Sequence, residues 1–197
     1  MKVCCLDLEG VLVPEIWIEV ARRFKVAELR LTTRDIPDYD SLMRKRIGIL
    51  KKKGIRFRDI EHVIAGIKPL PGAKAFLETL RRRSTVVILS DTFYQFAGPL
   101  IQKLGQPALF CNELQINKAG FIAGYHLRQK DGKTKSVKAL RSLGFRVYAA
   151  GDSFNDLGML KAAHRGILFN PPASIRRKFK RFPTTARYSK LLRLLLE

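Results

Sequence analysis

The sequence has 197 residues, 46% hydrophobic and 28% charged, which excludes a disordered or fibrous chain and suits one domain with a modest insertion. The 38 Lys and Arg residues and 17 Asp and Glu residues give a net charge of +21. Such a charge is typical of proteins that bind nucleic acid or an anionic membrane. No apolar run reaches the roughly 18 residues of a membrane span, acids interrupt the N-terminus, and the cysteines form no CxxC motif. We therefore expect a cytoplasmic protein with no membrane partner.

Three short apolar runs, each followed within two residues by an acid, predict buried strands. They span residues 2–8, 85–90 and 146–150. Apolar residues at helical spacing predict helices over residues 72–83, 92–104, 134–143 and 155–163. This alternation predicts an α/β fold with a Rossmann-like parallel sheet covered by helices on both faces.

Two stretches depart from the alternation. Residues 14–66 contain three helical patterns and no convincing strand, which predicts a small helical cap inserted after the first strand. Residues 113–128 alternate in polarity around an NKAG turn, which predicts a β-hairpin. The expected division is a core of residues 1–13 and 67–197 with a cap of residues 14–66.

Polar side chains follow each predicted strand. They are Asp7 and Glu9, then Ser90 and Asp91, then Asp152, Asn155 and Asp156. A single Asp at a strand end is more often a helix cap or a turn residue. However, the ligand site of an open parallel sheet lies beyond the carboxyl ends of its strands, and carboxylates brought together there repel one another unless a cation neutralises them. Mg²⁺ prefers such oxygen ligands, so the sequence predicts a magnesium site at this edge.

Four motifs in this order resemble the haloacid dehalogenase superfamily of phosphohydrolases and phosphotransferases. They are Asp7-Leu8-Glu9-Gly10, Ser90-Asp91, a lysine shortly after residue 130, and Gly151-Asp152-Ser153-Phe154-Asn155-Asp156. The helical insertion after the first motif resembles the small cap of phosphoserine phosphatases. The surrounding sequence is similar to the bifunctional phosphoserine phosphatase/homoserine phosphotransferase branch, in the stretches CLDLEGVLVPEIW, TTRDIPDYD, VVILSDTFY, LRQKD, AAGDSFND and GILFNPP.

The resemblance implies a pair of catalytic carboxylates. Asp7 would attack phosphorus to form an aspartyl-phosphate, which splits one hard displacement into two easier ones. Glu9 would protonate the leaving oxygen and then deprotonate the acceptor, and it stands where most of the superfamily has Asp. The implied Mg²⁺ ligands are Asp7, Glu9 and Asp152.

The resemblance also implies the residues that bind the phosphoryl group. Ser90 would donate its hydroxyl to a phosphoryl oxygen, and Asp91 with the following amides would complete the cradle. Asn155 and Asp156 would orient the metal or the substrate. A simple cap role for Ser90 or Asp91 is the alternative.

A lysine would neutralise the transferred phosphoryl group. The residues flanking Lys133 favour it for this role, and Lys130 and Lys135 are the alternatives. In the cap, Glu15 would meet the ammonium group of the substrate and Arg46 its carboxylate, because an Arg fork grips a carboxylate with two hydrogen bonds. A solvated helix face is the alternative for Arg46.

The sequence therefore predicts a Mg²⁺-dependent phosphomonoesterase for phosphoserine, with transfer of the phosphoryl group to homoserine as an extension of that activity. Two alternatives stay open: a phosphatase for another small phosphomonoester, and a basic nucleic-acid-binding protein on the same scaffold. The basic runs at residues 51–53, 81–83 and 176–181 lack RNP-type aromatic spacing and a helix-turn-helix pattern, which makes nucleic acid the less favoured partner.

Overall fold

A seven-stranded sheet forms the centre of the fold in the computed structural model, which describes residues 1–32, 35–36 and 38–197. The strands are β1 Lys2–Leu6, β2 Thr85–Phe93, β3 Ala108–Ile116, β4 Ile122–His126, β5 Arg146–Gly151, β6 Arg165–Phe169 and β7 Thr184–Thr185. They lie in the order β4-β3-β2-β1-β5-β6-β7, and every neighbouring pair is parallel except β3 and β4. The predicted α/β parallel sheet is confirmed.

Helices cover both faces of this sheet. They are α1 Ile16–Phe24, α2 Tyr39–Lys52, α3 Phe57–Gly66, α4 Ala73–Arg81, α5 Tyr94–Lys103, α6 Gly132–Ser142, α7 Leu157–Ala162, α8 Ala173–Lys178 and α9 Tyr188–Leu196. In β1, Cys4 and Leu6 join one apolar cluster while Val3 and Cys5 join the other. Successive strand residues point to opposite faces, so a central strand buried on both sides needs an unbroken apolar run.

The chain between β1 and β2 begins with three helices, α1 to α3, which we call the helical insertion. Its described part contains no strand, in line with the pattern at residues 14–66, whereas Thr33, Arg34 and Pro37 of the TTRDIPDYD stretch lie outside the described residues. The insertion contacts the core at helix α5, where the Phe57 and Phe96 rings stack, and at the hairpin of β3 and β4. The Phe57 amide donates to the Gly120 carbonyl at 2.8 Å, and the Tyr125 hydroxyl donates to Asp40.

Several elements differ from the sequence prediction, and three of these differences involve strands. Strand β2 continues to Phe93, so the next helix begins at Tyr94 and not at Thr92. Strand β3 begins at Ala108 and pairs in parallel with β2 before it turns into the predicted hairpin with β4. Strand β6 was not predicted, because its five residues begin with a charge and follow helix α7 almost directly.

All three cysteine thiols are buried and free. Burial raises the pKa of Cys4, and it raises the pKa values of Cys5 and Cys111 to about 12. These thiols are therefore protonated at neutral pH and inert toward oxidants. Across the part of the chain that the structure describes, no helix is both long and apolar enough to cross a membrane.

Candidate active site

A cleft of about 330 Å³ lies between the carboxyl edge of the sheet and the helical insertion. Strands β1, β2 and β5 end there, as parallel strands that share one sheet edge must. The structure brings together in its wall all nine predicted site residues, namely Asp7, Glu9, Glu15, Arg46, Ser90, Asp91, Lys133, Asp152 and Asn155. Residues more than 140 positions apart in the sequence therefore form one site.

Lys133 lies at the centre of the charged groups. Its Nζ atom is 2.8 Å from Asp7 Oδ1, 2.8 Å from Asp156 Oδ1 and 3.6 Å from Asp91 Oδ2. The side chain is only 5% exposed, whereas Lys130 and Lys135 are exposed. Of the three lysines considered in the sequence, Lys133 is the one that the fold places in the cleft.

Three buried carboxylates form an acidic cluster at the base of the cleft. One oxygen from each of Asp7, Asp152 and Asp156 lies within 4.8 Å of the other two. The amides of Asp152 and Ser153 donate to Asp156 Oδ2 at 2.9 Å and 3.0 Å, which turns the Asp156 side chain back toward β5. The sequence had suggested only an orienting role for Asp156. Its place in the cluster depends on the tight turn at Phe154–Asp156, which apolar periodicity does not reveal.

The acidic cluster is short of positive charge. Burial raises the pKa of Asp7 well above its usual range, repulsion from Asp156 and Asp152 adds to this effect, and Lys133 offsets only part of it. Burial opposes the charge on Lys133, but its carboxylate neighbours outweigh that cost and raise the lysine pKa. Hard carboxylate oxygens in need of a further cation fit a divalent metal ion.

Gly10 makes room for the Asp152 carboxylate. The glycine has a φ of +75°, and a Cβ atom built there would lie 2.5 Å from Asp152 Cγ. Any L side chain at this position would clash with a cluster carboxylate and would also strain the backbone. The turn after β1 is therefore shaped to bring Asp152 close to Asp7.

Glu9 faces the helical insertion. Its Oε2 atom accepts a hydrogen bond from the Ile16 amide at 2.8 Å, and the described acidic cluster does not include it. Burial, followed by repulsion from Glu15, raises the pKa of Glu9 to about 8. The carboxyl group is therefore protonated at neutral pH, the state that a general acid needs. Its role as a metal ligand stays a prediction.

The irregular end of β2 that begins at Ser90, which we call the loop at Ser90, is fixed from several sides. The Ser90 hydroxyl accepts a hydrogen bond from the Thr92 amide at 3.2 Å, and Asn155 Nδ2 donates to Asp91 Oδ2 at 2.8 Å. The Tyr39 hydroxyl of the helical insertion donates to the Asp91 carbonyl at 3.0 Å. Tyr39 was not singled out in the sequence, where a lone aromatic residue at a helix start carries no distinguishing signal. It links the insertion to the loop that would hold a phosphoryl group.

Arg46 is a buried cation with unused hydrogen-bonding capacity. Its side chain is 7% exposed, and its Nη2 atom donates to the Leu31 carbonyl at 2.8 Å. The guanidinium group lies 4.5 Å from the centre of the Trp17 ring, in a cation–π contact. Within the described residues the Arg46 Nε atom has no hydrogen-bond partner, although it is buried. A bound ligand with an acceptor group can supply this missing partner.

Comparison with known proteins gives a consistent result. Residues 1–164 match the family model for haloacid dehalogenase-like hydrolases. The chain is 53% identical over 197 residues to phosphoserine phosphatase ThrH of Pseudomonas aeruginosa, an alignment that covers 100% of this chain and 96% of that protein. It is 50% identical over 191 residues to a phosphoserine phosphatase of Pseudomonas syringae pv. tomato, with 97% of this chain and 81% of that protein covered.

Solved structures agree with these relatives. A phosphoserine phosphatase in its apo form has a TM-score of 0.74 at 25% identity and covers 90% of each chain. A phospho-aspartyl intermediate analogue of phosphoserine phosphatase has a TM-score of 0.76 at 22% identity, with 98% of this chain and 97% of that chain covered. At such identities the likeness shows a common fold.

Proposed function

Because this chain belongs to the haloacid dehalogenase-like hydrolases, we propose that it hydrolyses O-phosphoserine through an aspartyl-phosphate intermediate. The two Pseudomonas relatives named above support the substrate, since both are phosphoserine phosphatases. The observation that carries the proposal is Arg46, a buried residue of the cleft wall beside Asp7 and Lys133, whose Nε atom has no hydrogen-bond partner among the described residues. An amino acid that bears a phosphoryl group supplies both an acceptor for Arg46 and phosphorus for Asp7.

Asp7 is the proposed nucleophile. Its Oδ1 atom accepts hydrogen bonds from the Leu8 amide and from Lys133, both at 2.8 Å, which leaves Oδ2 to attack phosphorus. As the bond between Oδ2 and phosphorus forms, the bond to the serine oxygen breaks, and Glu9 gives its proton to that oxygen. In the second half of the reaction Glu9 takes a proton from water, whose oxygen attacks phosphorus and releases phosphate and Asp7.

Lys133 and the loop at Ser90 are proposed to hold the phosphoryl group. The Lys133 ammonium is charged because of its carboxylate neighbours, so it can neutralise charge on the phosphoryl oxygens. The Ser90 hydroxyl can donate to one of those oxygens, since it only accepts a hydrogen bond from Thr92. Asp91 and Asn155 support the loop through their mutual hydrogen bond.

We propose that the divalent cation of this site is Mg²⁺, held by Asp7 and Asp152 with Asp156, while the predicted ligand role of Glu9 is the alternative to its acid–base role. Mg²⁺ favours small numbers of carboxylates and shares its other positions with water and phosphate. When bound, it supplies positive charge to the phosphoryl oxygens. The acidic cluster and the raised pKa of Asp7 support this assignment.

Gly10→Ala is expected to weaken Mg²⁺ binding by roughly tenfold or more, because the new methyl group displaces Asp152. It also adds about 1 to 2 kcal/mol of backbone strain from the left-handed conformation. Gly54→Ala is the matched control, since Gly54 has a φ of +68° but no described atom within 4 Å of the place that a Cβ atom would take. Titration calorimetry with Mg²⁺ and urea unfolding measure the two effects. Equal Mg²⁺ affinity in both variants would contradict the assignment.

Glu15 and Arg46 are proposed to recognise the amino acid. Serine carries an ammonium group and a carboxylate on the same carbon, and the two side chains offer one opposite charge for each. A planar guanidinium that stacks on Trp17 can present Nε and a terminal nitrogen to one carboxylate. The helical insertion would therefore act as a cap of residues 14–66 that selects the substrate over a core of residues 1–13 and 67–197.

Arg46→Ala is expected to raise KM for phosphoserine by roughly 30- to 150-fold, from the loss of about 2 to 3 kcal/mol of charge-assisted hydrogen bonding. KM for phosphoethanolamine, which keeps the ammonium group but has no carboxylate, should rise much less in the same variant. Arg44→Ala is the control, because Arg44 lies on the same helix and is exposed. Phosphate-release assays on both substrates decide the point, and equal losses on the two would show that Arg46 does not bind the carboxylate.

We further propose that homoserine can replace water as the acceptor. Homoserine has the ammonium group and carboxylate of serine with one more methylene, so Glu15 and Arg46 can hold it with its hydroxyl toward Glu9. Phosphate release and phosphohomoserine formation, measured with phosphoserine in the presence and absence of Mg²⁺ and homoserine, test substrate, cation and acceptor together. A panel of other small phosphomonoesters tests the alternative substrate.

The unpaired cysteines support the reducing cytoplasm as the compartment.

A further inference from the structure

A strongly basic segment remains without a role in the proposed reaction. Residues 176–181, RRKFKR, comprise helix α8 from Arg176 and the turn after it, and their five cationic side chains are exposed. None of the five forms an ion pair with any described residue. We call this stretch the basic segment.

The basic segment contacts the wall of the active-site cleft through Phe179. Its Phe179 ring meets the Phe154 ring edge to face at 6.1 Å, and Phe154 is a wall residue of the cleft that is 41% exposed. The exposed Lys161 adds a further cation, since its Nζ lies 5.9 Å from the centre of the Phe179 ring. One aromatic contact therefore separates a dense group of cations from the substrate cleft.

Most of the cations of the chain lie outside the cleft. Six of the 17 carboxylates lie in or directly beneath it, accompanied by only two of the 38 Lys and Arg residues. The rest of the chain then carries 36 cations against 11 carboxylates. Phosphoserine brings a phosphate with about −1.5 to −2 charge and a carboxylate against one ammonium group. The substrate is therefore a dianion, which the cations outside the cleft attract.

We propose that the basic segment and Lys161 attract phosphate dianions to the mouth of the cleft and so raise the rate of substrate capture. A group of like charges beside a cleft raises the local concentration of an oppositely charged ligand and its association rate. The Debye length is about 10 Å at 0.1 M salt, so only cations close to the mouth act strongly on the substrate. This inference rests on the proposed function for its natural substrate, but its physics applies to any phosphomonoester that the cleft accepts.

The test compares two variants of equal net charge. One replaces Arg176, Arg177, Lys178, Lys180 and Arg181 by Gln, and the other replaces the exposed Lys51, Lys52, Lys53, Arg82 and Arg83 by Gln. Both lower the net charge from +21 to +16. The second set lies in and beyond the last turns of α2 and α4, and none of its members lines the cleft.

In low salt the basic-segment variant is expected to lose roughly three- to tenfold in kcat/KM for phosphoserine, with kcat unchanged. The loss should disappear near 0.5 M salt, where screening is strong. The control variant should stay within about twofold of the parent at every salt concentration. Equal losses in the two variants would assign the effect to net charge alone, and no loss in the basic-segment variant would equally overturn the proposal.

The same measurements with p-nitrophenyl phosphate separate this inference from the proposed function. That substrate carries the phosphate dianion but has no groups for Glu15 or Arg46. If the parent protein hydrolyses it and leaves phosphoserine intact, the proposed substrate is wrong, while the comparison of the two variants still decides the role of the basic segment.

Discussion

Asp7→Asn is expected to lower phosphoserine turnover by roughly 10⁴-fold or more, because the amide cannot attack phosphorus. The fold should be retained, since asparagine keeps the Oδ1 acceptor that the Leu8 amide and Lys133 use. Without metal the variant should unfold at the same temperature as the parent or higher, because one of three mutually repelling carboxylates is gone. Phosphate release and thermal unfolding measure the two effects.

Asp131→Asn is the matched control for this substitution. Asp131 begins the same helix that carries Lys133, but it is exposed and has a φ of 55°, a conformation that asparagine adopts readily. The Asp131→Asn variant should retain the parental turnover. Brief reaction with labelled phosphoserine followed by acid quench should leave a hydroxylamine-sensitive label on the parent and none on Asp7→Asn. Turnover above a tenth of the parental value would contradict a covalent role for Asp7.

Glu9→Gln is expected to separate the two halves of the reaction. Glutamine keeps the oxygen that accepts the Ile16 amide, so binding of Mg²⁺ and substrate should change little. It cannot move a proton, so phosphoserine turnover should fall by roughly 10²- to 10⁴-fold. An aryl phosphate has a leaving group that needs no proton, and the aspartyl-phosphate should form from it and then persist.

Rapid mixing with p-nitrophenyl phosphate should therefore show a burst of p-nitrophenol, about one per active site, followed by a slow steady state. Glu19→Gln serves as the control, since Glu19 lies on α1 and forms an ion pair with Arg22 away from the cleft wall. Parental rates of Glu9→Gln on both substrates would rule out a proton-transfer role. Loss of Mg²⁺ binding would instead assign Glu9 to the metal site.

The central part of the fold could be predicted because its strands are buried on both faces. An unbroken apolar run such as that of β1 has few other structural interpretations, and the acid that follows it lies at the sheet edge by topology. The start of β3 was missed because Ala108 follows Gln106-Pro107, a pair typical of a loop. Strand β6 was missed because a short run after a helix gives no periodic signal.

The site residues differ in how far the sequence could define them. Asp7 and Asp152 follow directly from strand ends, since the backbone alone places them. The flanking residues favoured Lys133 over Lys130 and Lys135, but only the helix start that buries Lys133 distinguishes it physically from the two exposed lysines. The place of Asp156 in the acidic cluster and the link from Tyr39 to the loop at Ser90 depend on tertiary contacts between distant elements. Such contacts leave no local pattern in the sequence.

The burial of every native thiol has a practical consequence for following motion in solution. Cys4, Cys5 and Cys111 are protonated and shielded, so thiol-directed dyes should not label them in the folded protein. Cysteines introduced at Lys52 on the helical insertion and at Arg82 on the core would then be the reactive pair. Fluorescence energy transfer between dyes at these two positions could report movement of the insertion during turnover, without prior removal of the native cysteines.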